Sequence, residues 1–145
     1  MKEGKGVLYK ETGEREFIGY FKNDLKENYG VCLQSDGSVI YKGIFQNGKK
    51  HGKGELYHPN GSLLFKGDFV NDLKEGQGEV WDSEGWCYYK GDFQQDLLWG
   101  QGIIYHKGDS LKGLRKKYEG QFVRDFKEGF GVLYWTNSNK RFEGE

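Results

Sequence analysis

The sequence predicts an all-β protein, a single-layer elongated antiparallel β-sheet of consecutive hairpin repeats. Three observations carry that expectation. A glycine-centred pentad returns along the chain at near-constant spacing. Glycine supplies 24 of the 145 residues, and aromatic residues make up 17%. Alanine is absent and proline occurs once. A chain without the best helix former, rich in rings and glycine, favours strands and turns.

The pentad Tyr41-Lys42-Gly43-Ile44-Phe45 returns as Phe65-Lys66-Gly67-Asp68-Phe69, Tyr89-Lys90-Gly91-Asp92-Phe93 and Tyr118-Glu119-Gly120-Gln121-Phe122. It begins as Phe17-Ile18-Gly19-Tyr20-Phe21, and a last glycine stands at Gly144. Successive central glycines are 24 residues apart, except for a step of 29 between Gly91 and Gly120. The chain therefore reads as one array over 1–145. A half repeat covers 1–16, repeats start at 17, 41, 65, 89 and 118, and an incomplete repeat starts at 142. Only 35% of the residues are hydrophobic, a level usually associated with disorder. Rings that bury roughly 150–250 Å² each compensate for the missing aliphatic residues.

Eleven residues after each of the first five glycines comes another: Gly30, Gly54, Gly78, Gly102 and Gly131. Four of these close a Gly-x-Gly, and in the first copy Asn28 holds the leading place, a residue that tolerates positive φ. A short apolar segment follows each time, as in Val7-Leu8-Tyr9, Val31-Cys32-Leu33 and Ile103-Ile104-Tyr105. This arrangement, aromatic-x-Gly-x-aromatic, then a turn, then Gly-x-Gly and a short apolar strand, resembles the MORN repeat over essentially the whole chain. It departs from the usual pattern in having Phe where Trp is more common. The resemblance implies stacked hairpins, a non-catalytic scaffolding role, and a groove that accepts helical partners. It also implies the settings in which such repeats occur, above all ciliary axonemes with their radial spokes and other cytoskeletal assemblies. Membrane-surface adaptors that bind anionic phospholipid, and regulatory segments of larger enzymes, are the alternatives.

Read physically, Tyr41, Gly43 and Phe45 share one face of a strand. The glycine leaves a hole between two rings, which a ring from the neighbouring repeat is expected to fill. Leu8, Cys32, Leu56, Val80, Ile104 and Leu133 are expected to line up down the sheet. Asn60-Gly61 and Asp36-Gly37 read as tight turns, and the stretch Asn71-Asp72-Leu73-Lys74-Glu75-Gly76 reads as a longer polar loop. A hairpin of this kind is unstable alone and buries its aromatic face only by stacking on the next. The terminal strands are expected to offer unpaired edges for end-to-end or homotypic contacts, or for continuation of the array.

Lys+Arg and Asp+Glu balance at 22 each, which argues against nucleic acid as a partner, since phosphates demand a basic stripe. It also argues for weak or no membrane binding. No apolar run reaches the roughly 18 residues of a membrane span, and no signal peptide is visible behind Met1. Two cysteines, Cys32 and Cys87, fit a reducing, cytoplasmic setting. Cys32 reads as core and Cys87 as partly exposed. His51, His58 and His106 read as surface residues, with no metal site and no cofactor. The Gly-x-Gly segments lead into strands, where a phosphate loop would lead into a helix. An enzyme is not expected.

Two sets of candidate contact residues remain. In a single-layer sheet the aromatic rows Tyr41, Phe65, Tyr89, Tyr118 and Phe45, Phe69, Phe93, Phe122 are expected to be half-covered, forming a groove for a helix of a partner protein in a large assembly. The long step between repeats carries a basic insertion, with Lys112, Arg115, Lys116 and Lys117 as candidates for an acidic protein or anionic surface. The same residues also read as a simple solvated insertion.

Overall fold

The computed structural model describes residues 1–108 and 113–145. Its strands are β1 (Gly4–Tyr9), β2 (Arg15–Lys22), β3 (Leu25–Leu33), β4 (Val39–Gln46), β5 (Lys49–Tyr57), β6 (Leu63–Val70), β7 (Leu73–Trp81), β8 (Cys87–Gln94), β9 (Leu97–His106), β10 (Arg115–Val123), β11 (Phe126–Tyr134) and β12 (Lys140–Gly144). They form one antiparallel sheet in strict chain order. No helix occurs among the described residues.

One register position carries glycine on every strand. Gly6, Gly19, Gly30, Gly43, Gly54, Gly67, Gly78, Gly91, Gly102, Gly120, Gly131 and Gly144 pair in succession from one edge to the other. The reason is steric. The ring two residues before each first-strand glycine lies across the glycine pair of its own hairpin. The atoms nearest a Cβ on Gly54 all belong to the Tyr41 side chain, and those nearest one on Gly131 to the Tyr118 side chain. A Cβ on Gly43 would also come within 2.6 Å of the Gly54 Cα. The hole expected to hold a neighbour's ring is therefore filled chiefly from within the same hairpin.

The neighbouring repeat contributes the second ring of each pentad. Phe17 meets Phe45, Tyr41 meets Phe69, Phe65 meets Phe93, and Tyr89 meets Phe122, all edge to face at 5.2–5.6 Å. Within each pentad the two rings meet in the same way at 5.3–5.4 Å. Ten rings thus form one continuous edge-to-face chain, each contact contributing roughly 0.5–1.5 kcal/mol beyond the area it buries. The apolar line proposed for the second strands is present, interleaved with the first rings: Leu8 pairs Phe17, which pairs Cys32, which pairs Tyr41.

What covers the rings from outside lies two residues before a bulge. Asn28, Gly52, Gly76, Gly100 and Gly129 all have positive φ, between 55° and 92°, which fits the reading of Asn28 as a stand-in for glycine. Two residues are inserted at each bulge, so that Gly30 pairs with Gly19 but Lys26 with Phe21, and Lys26 stays on the ring face with Gly30 and Cys32. Lys26 lies 4.8 Å above Phe17, Lys50 5.4 Å above Tyr41, Lys74 5.5 Å above Phe65 and Lys127 4.8 Å above Tyr118. Leu98 holds the matching place in the fourth repeat and packs on the ring cluster. Lysine stems and heads thus stand in for a second layer.

The two kinds of turn are the reverse of expectation. Within hairpins, Asn71-Asp72 is a two-residue turn with φ of 49° and 73°, and Asn23-Asp24, Asn47-Gly48, Gln95-Asp96 and Arg124-Asp125 match it. Both central residues are left-handed, the pairing whose twist suits a hairpin. Between hairpins the loops are longer: His58 N–H bonds the Ser62 carbonyl and Gly61 N–H the His58 carbonyl, both at 2.9 Å.

Each two-residue turn is tied to the preceding repeat. Lys50 N–H donates to the Asp72 carboxylate at 2.8 Å while Asp72 N–H returns to the Lys50 carbonyl at 3.0 Å. Lys74 with Asp96 and Leu98 with Asp125 repeat the pair. A glutamate next along accepts the other turn N–H: Glu3 from Asn23, Glu27 from Asn47, and Glu75 from Gln95, at 2.8–3.0 Å. His51 occupies that place in the second full repeat, and its Nδ1 is buried without a partner.

Two outcomes follow from this packing. Gly54→Ala should lower stability by roughly 3 kcal/mol through overpacking against Tyr41. Gly6→Ala, whose Cβ would make only an ordinary 3.5 Å contact with Phe21, should cost about 1 kcal/mol or less. Equal losses in urea unfolding would contradict the ring-seat account. His51→Glu restores the missing acceptor and should raise stability by about 1 kcal/mol, read as a higher urea midpoint at unchanged slope.

Candidate interaction face

The eight aromatic candidates occupy the ring face and are not half-covered. Tyr41, Phe45, Phe65, Phe69, Tyr89, Phe93, Tyr118 and Phe122 are each 0–5% exposed. Glycine backbone lies beneath them, neighbouring rings flank them and lysines lie above, so no ring surface is left over for a groove. The hydroxyls are used as well: Tyr41 donates to the Ile44 carbonyl, Tyr89 to that of Asp92 and Tyr118 to that of Gln121, at 2.9–3.1 Å. Burial pushes all three phenols above the ordinary tyrosine range.

The basic candidates are also differently placed. Lys112 lies outside the described residues. Arg115, Lys116 and Lys117 belong to β10, where Arg115 pairs with His106 and Lys116 with Tyr105 while Lys117 sits at the bulge that follows. Arg115 donates to the Thr136 carbonyl at 2.9 Å and Lys116 pairs with Glu119 at 2.7 Å. Lys117 is exposed. Lys107 engages Asp82 and Glu84.

Cys87 is buried and Cys32 half-buried, the opposite of the expected order, because Cys87 opens β8 opposite Trp81. Burial raises both thiols and makes them poor nucleophiles. His58 and His106 are half-buried ties between repeats, with Nε2 donating to the Trp81 and Tyr134 carbonyls at 2.9 and 3.2 Å. Among the described residues no three His, Cys, Asp or Glu side chains gather at one point.

The opposite face of the sheet is open. Alternation sends every second residue of each strand there, and the register sorts those residues into rows. One row runs Val7, Ile18, Val31, Lys42, Glu55, Lys66, Glu79, Lys90, Ile103, Glu119, Val132. Its middle is an ion ladder: Glu55 bridges Lys42 at 3.0 Å and Lys66 at 3.3 Å, and Glu79 pairs with Lys90 at 3.1 Å. The Tyr57 hydroxyl, with the two lysines, holds the Glu55 carboxyl down at about 2. Solvent-exposed pairs of this kind contribute roughly 0–1 kcal/mol each; they fix the charge pattern of the face more than its stability.

A second row contains Tyr20, Tyr29, Ile44, Lys53 and Asp68, with Lys53 and Asp68 3.0 Å apart. Between the rows the glycine backbone is bare. A groove of about 530 Å³ follows Gly43, Gly54 and Gly67, bounded by Tyr29, Ile44, Lys42 and Lys66. Another of about 540 Å³ passes Gly78 and Gly91 beside Leu63 and Trp81.

The face is divided. Over β1–β4 it is apolar, with Val7, Tyr9, Tyr20, Tyr29 and Ile44 38–58% exposed around the half-buried Ile18 and Val31. Over β4–β8 it is charged. These residues were visible in the sequence as apolar partners alternating with the pentad glycines, but they were outweighed by the more regular rings.

Family models match the MORN repeat five times in succession, at residues 17–39, 41–63, 65–86, 89–110 and 118–140. A search of curated proteins found no match. The matched segments coincide with the hairpin pairs that share one ring seat, so the chain belongs to the MORN repeat family and is built as a repeat-based interaction module.

Proposed function

We propose that this MORN array is a non-catalytic scaffold, holding protein partners in a cytoskeletal assembly such as a ciliary axoneme and its radial spokes. The observation that carries the reading is the division of labour between faces. One face is closed on itself by rings, glycines and lysines. The other presents a wide ordered surface with exposed apolar residues at one end and neutralised charges along its middle. An exposed apolar patch on an otherwise polar rigid sheet is characteristic of a docking surface. Family membership supports a binding role, and the register gives the array a fixed, rod-like spacing of roughly 9.6 Å per hairpin, suited to a scaffold. The balanced ion pairs of the open face, and the partnered basic residues of β10, favour a protein partner over an anionic phospholipid surface.

Detergent extraction of cells that express the chain tests the reading. The protein is expected in the insoluble cytoskeletal fraction, and the double variant Ile18→Glu/Tyr29→Glu is expected to move largely into the soluble fraction without loss of fold. A chain that is soluble from the outset, or that leaves with the membranes, would contradict it.

A further inference from the structure

We infer that the apolar end of the open face, over β1–β4, docks an amphipathic segment of a partner protein whose apolar stripe is flanked by carboxylates. The inference rests on the scaffold reading above and narrows its partner class.

The first part of the case is charge. Along β4–β8 four cations of this face have partners, namely Lys42 and Lys66 on Glu55, Lys53 on Asp68, and Lys90 on Glu79, while Lys49 at the start of β5 has none among the described residues. The apolar end differs. Lys5 pairs in register with Tyr20, Arg15 with Tyr9, and Lys22 lies two residues beyond Tyr20 on the same face of β2. All three are exposed, and none makes an ion pair or side-chain hydrogen bond among the described residues. Carboxylates on or beside the same strands are engaged elsewhere: Glu3 accepts the Asn23 N–H at 2.8 Å, Glu14 accepts from the Thr12 hydroxyl, Glu27 accepts the Asn47 N–H at 2.9 Å, and Glu16 faces Lys26 at 4.0 Å. In a chain of zero formal charge, three cations without side-chain partners among the described residues thus frame the apolar field over β1–β4.

The second part is size. Four strands at about 4.8 Å spacing, with about five residues each at 3.4 Å, give a field of roughly 300 Å² in plan. A stable complex between two folded surfaces needs about 800 Å² from each partner. The field is too small for a second sheet and suits one segment. Burial of the partner's apolar stripe would supply most of the affinity, while carboxylates placed over Lys5, Arg15 and Lys22 would set orientation and association rate.

Three synthetic peptides that share one leucine stripe, flanked by Glu, Gln or Lys, separate the outcomes when titrated into the isotope-labelled full chain. The Glu peptide is expected to bind about tenfold or more tighter than the Lys peptide and to weaken with added salt. Its amide shifts should centre on Ile18, Tyr20, Tyr29 and Val31. Ile18→Glu should abolish binding, and the triple variant Lys5→Glu/Arg15→Glu/Lys22→Glu should reverse the order of the peptides. These side chains lie away from the ring face, and circular dichroism checks that both variants stay folded. Equal affinities, shifts centred on Lys66 to Lys90, no binding by any peptide, or binding only to vesicles of anionic phospholipid would each overturn the assignment. A negative titration with the chain still held in the cytoskeletal fraction removes this docking site and leaves the scaffold reading intact. A positive titration with a fully soluble chain does the reverse.

Discussion

The structure depends on one contact: an aromatic ring laid across two paired glycines of its own hairpin. A side chain at Gly54 would have to occupy the place of the Tyr41 ring, and one at Gly43 would press into the facing strand as well. Glycine in a strand costs about 0.5–1 kcal/mol in backbone freedom, and here that cost is offset by the burial of a whole ring in the vacated space. The requirement repeats in every hairpin, which is why one glycine row crosses the entire sheet. Each ring still has an edge exposed until the next pentad arrives. Phe45 closes over Phe17, Phe69 over Tyr41, and so on. Cohesion therefore runs from neighbour to neighbour, as in other linear repeat architectures.

Closing one face in this way leaves the other free to vary. The ring face tolerates little change, because rings, glycines and lysines all constrain one another. The open face carries no such constraint beyond strand geometry, so its rows can be apolar at Val7, Ile18 and Val31 and ionic from Lys42 to Lys90 without disturbing the seat beneath. The bulges at Asn28 and Gly52 insert two residues and so preserve parity, which leaves Lys26 and Lys50 over the rings and off the open face.

Much of this was legible in the sequence. The pentad spacing set the hairpin unit, the strand order and the alignment of Gly43, Gly67 and Gly91, because close packing tolerates only one residue type at those places. The positive φ of Asn28 was legible for the same reason. Other features were not. Whether a ring covers its own hairpin or the next depends on side-chain direction, which residue spacing does not encode. Asn71-Asp72 read as the start of a long polar loop because two left-handed residues in a row carry no signal beyond polarity. The aromatic rows were expected to be half-covered because the stretch read as a polar loop is in fact strand, and it carries Lys26, Lys50, Lys74, Lys127 and Leu98 over the first ring of each pentad. Arg115 and Lys116 looked like insertion because the extra residues preceding them hid the start of β10. The apolar end of the open face was present in the sequence as ordinary alternation, less conspicuous than the rings it backs.

A double-mutant cycle between Tyr41 and Gly54 tests the central contact most directly. Gly54 suits the purpose because the three atoms nearest a Cβ there all belong to the Tyr41 side chain. Urea unfolding of the parent, Gly54→Ala, Tyr41→Ala and the double variant gives the coupling. With the ring removed, the alanine at position 54 should become nearly neutral, so the two losses should fall short of additivity by roughly 2 kcal/mol or more. Additive losses would show that the glycine is required for some reason other than the ring above it, and the account of the fold would fail.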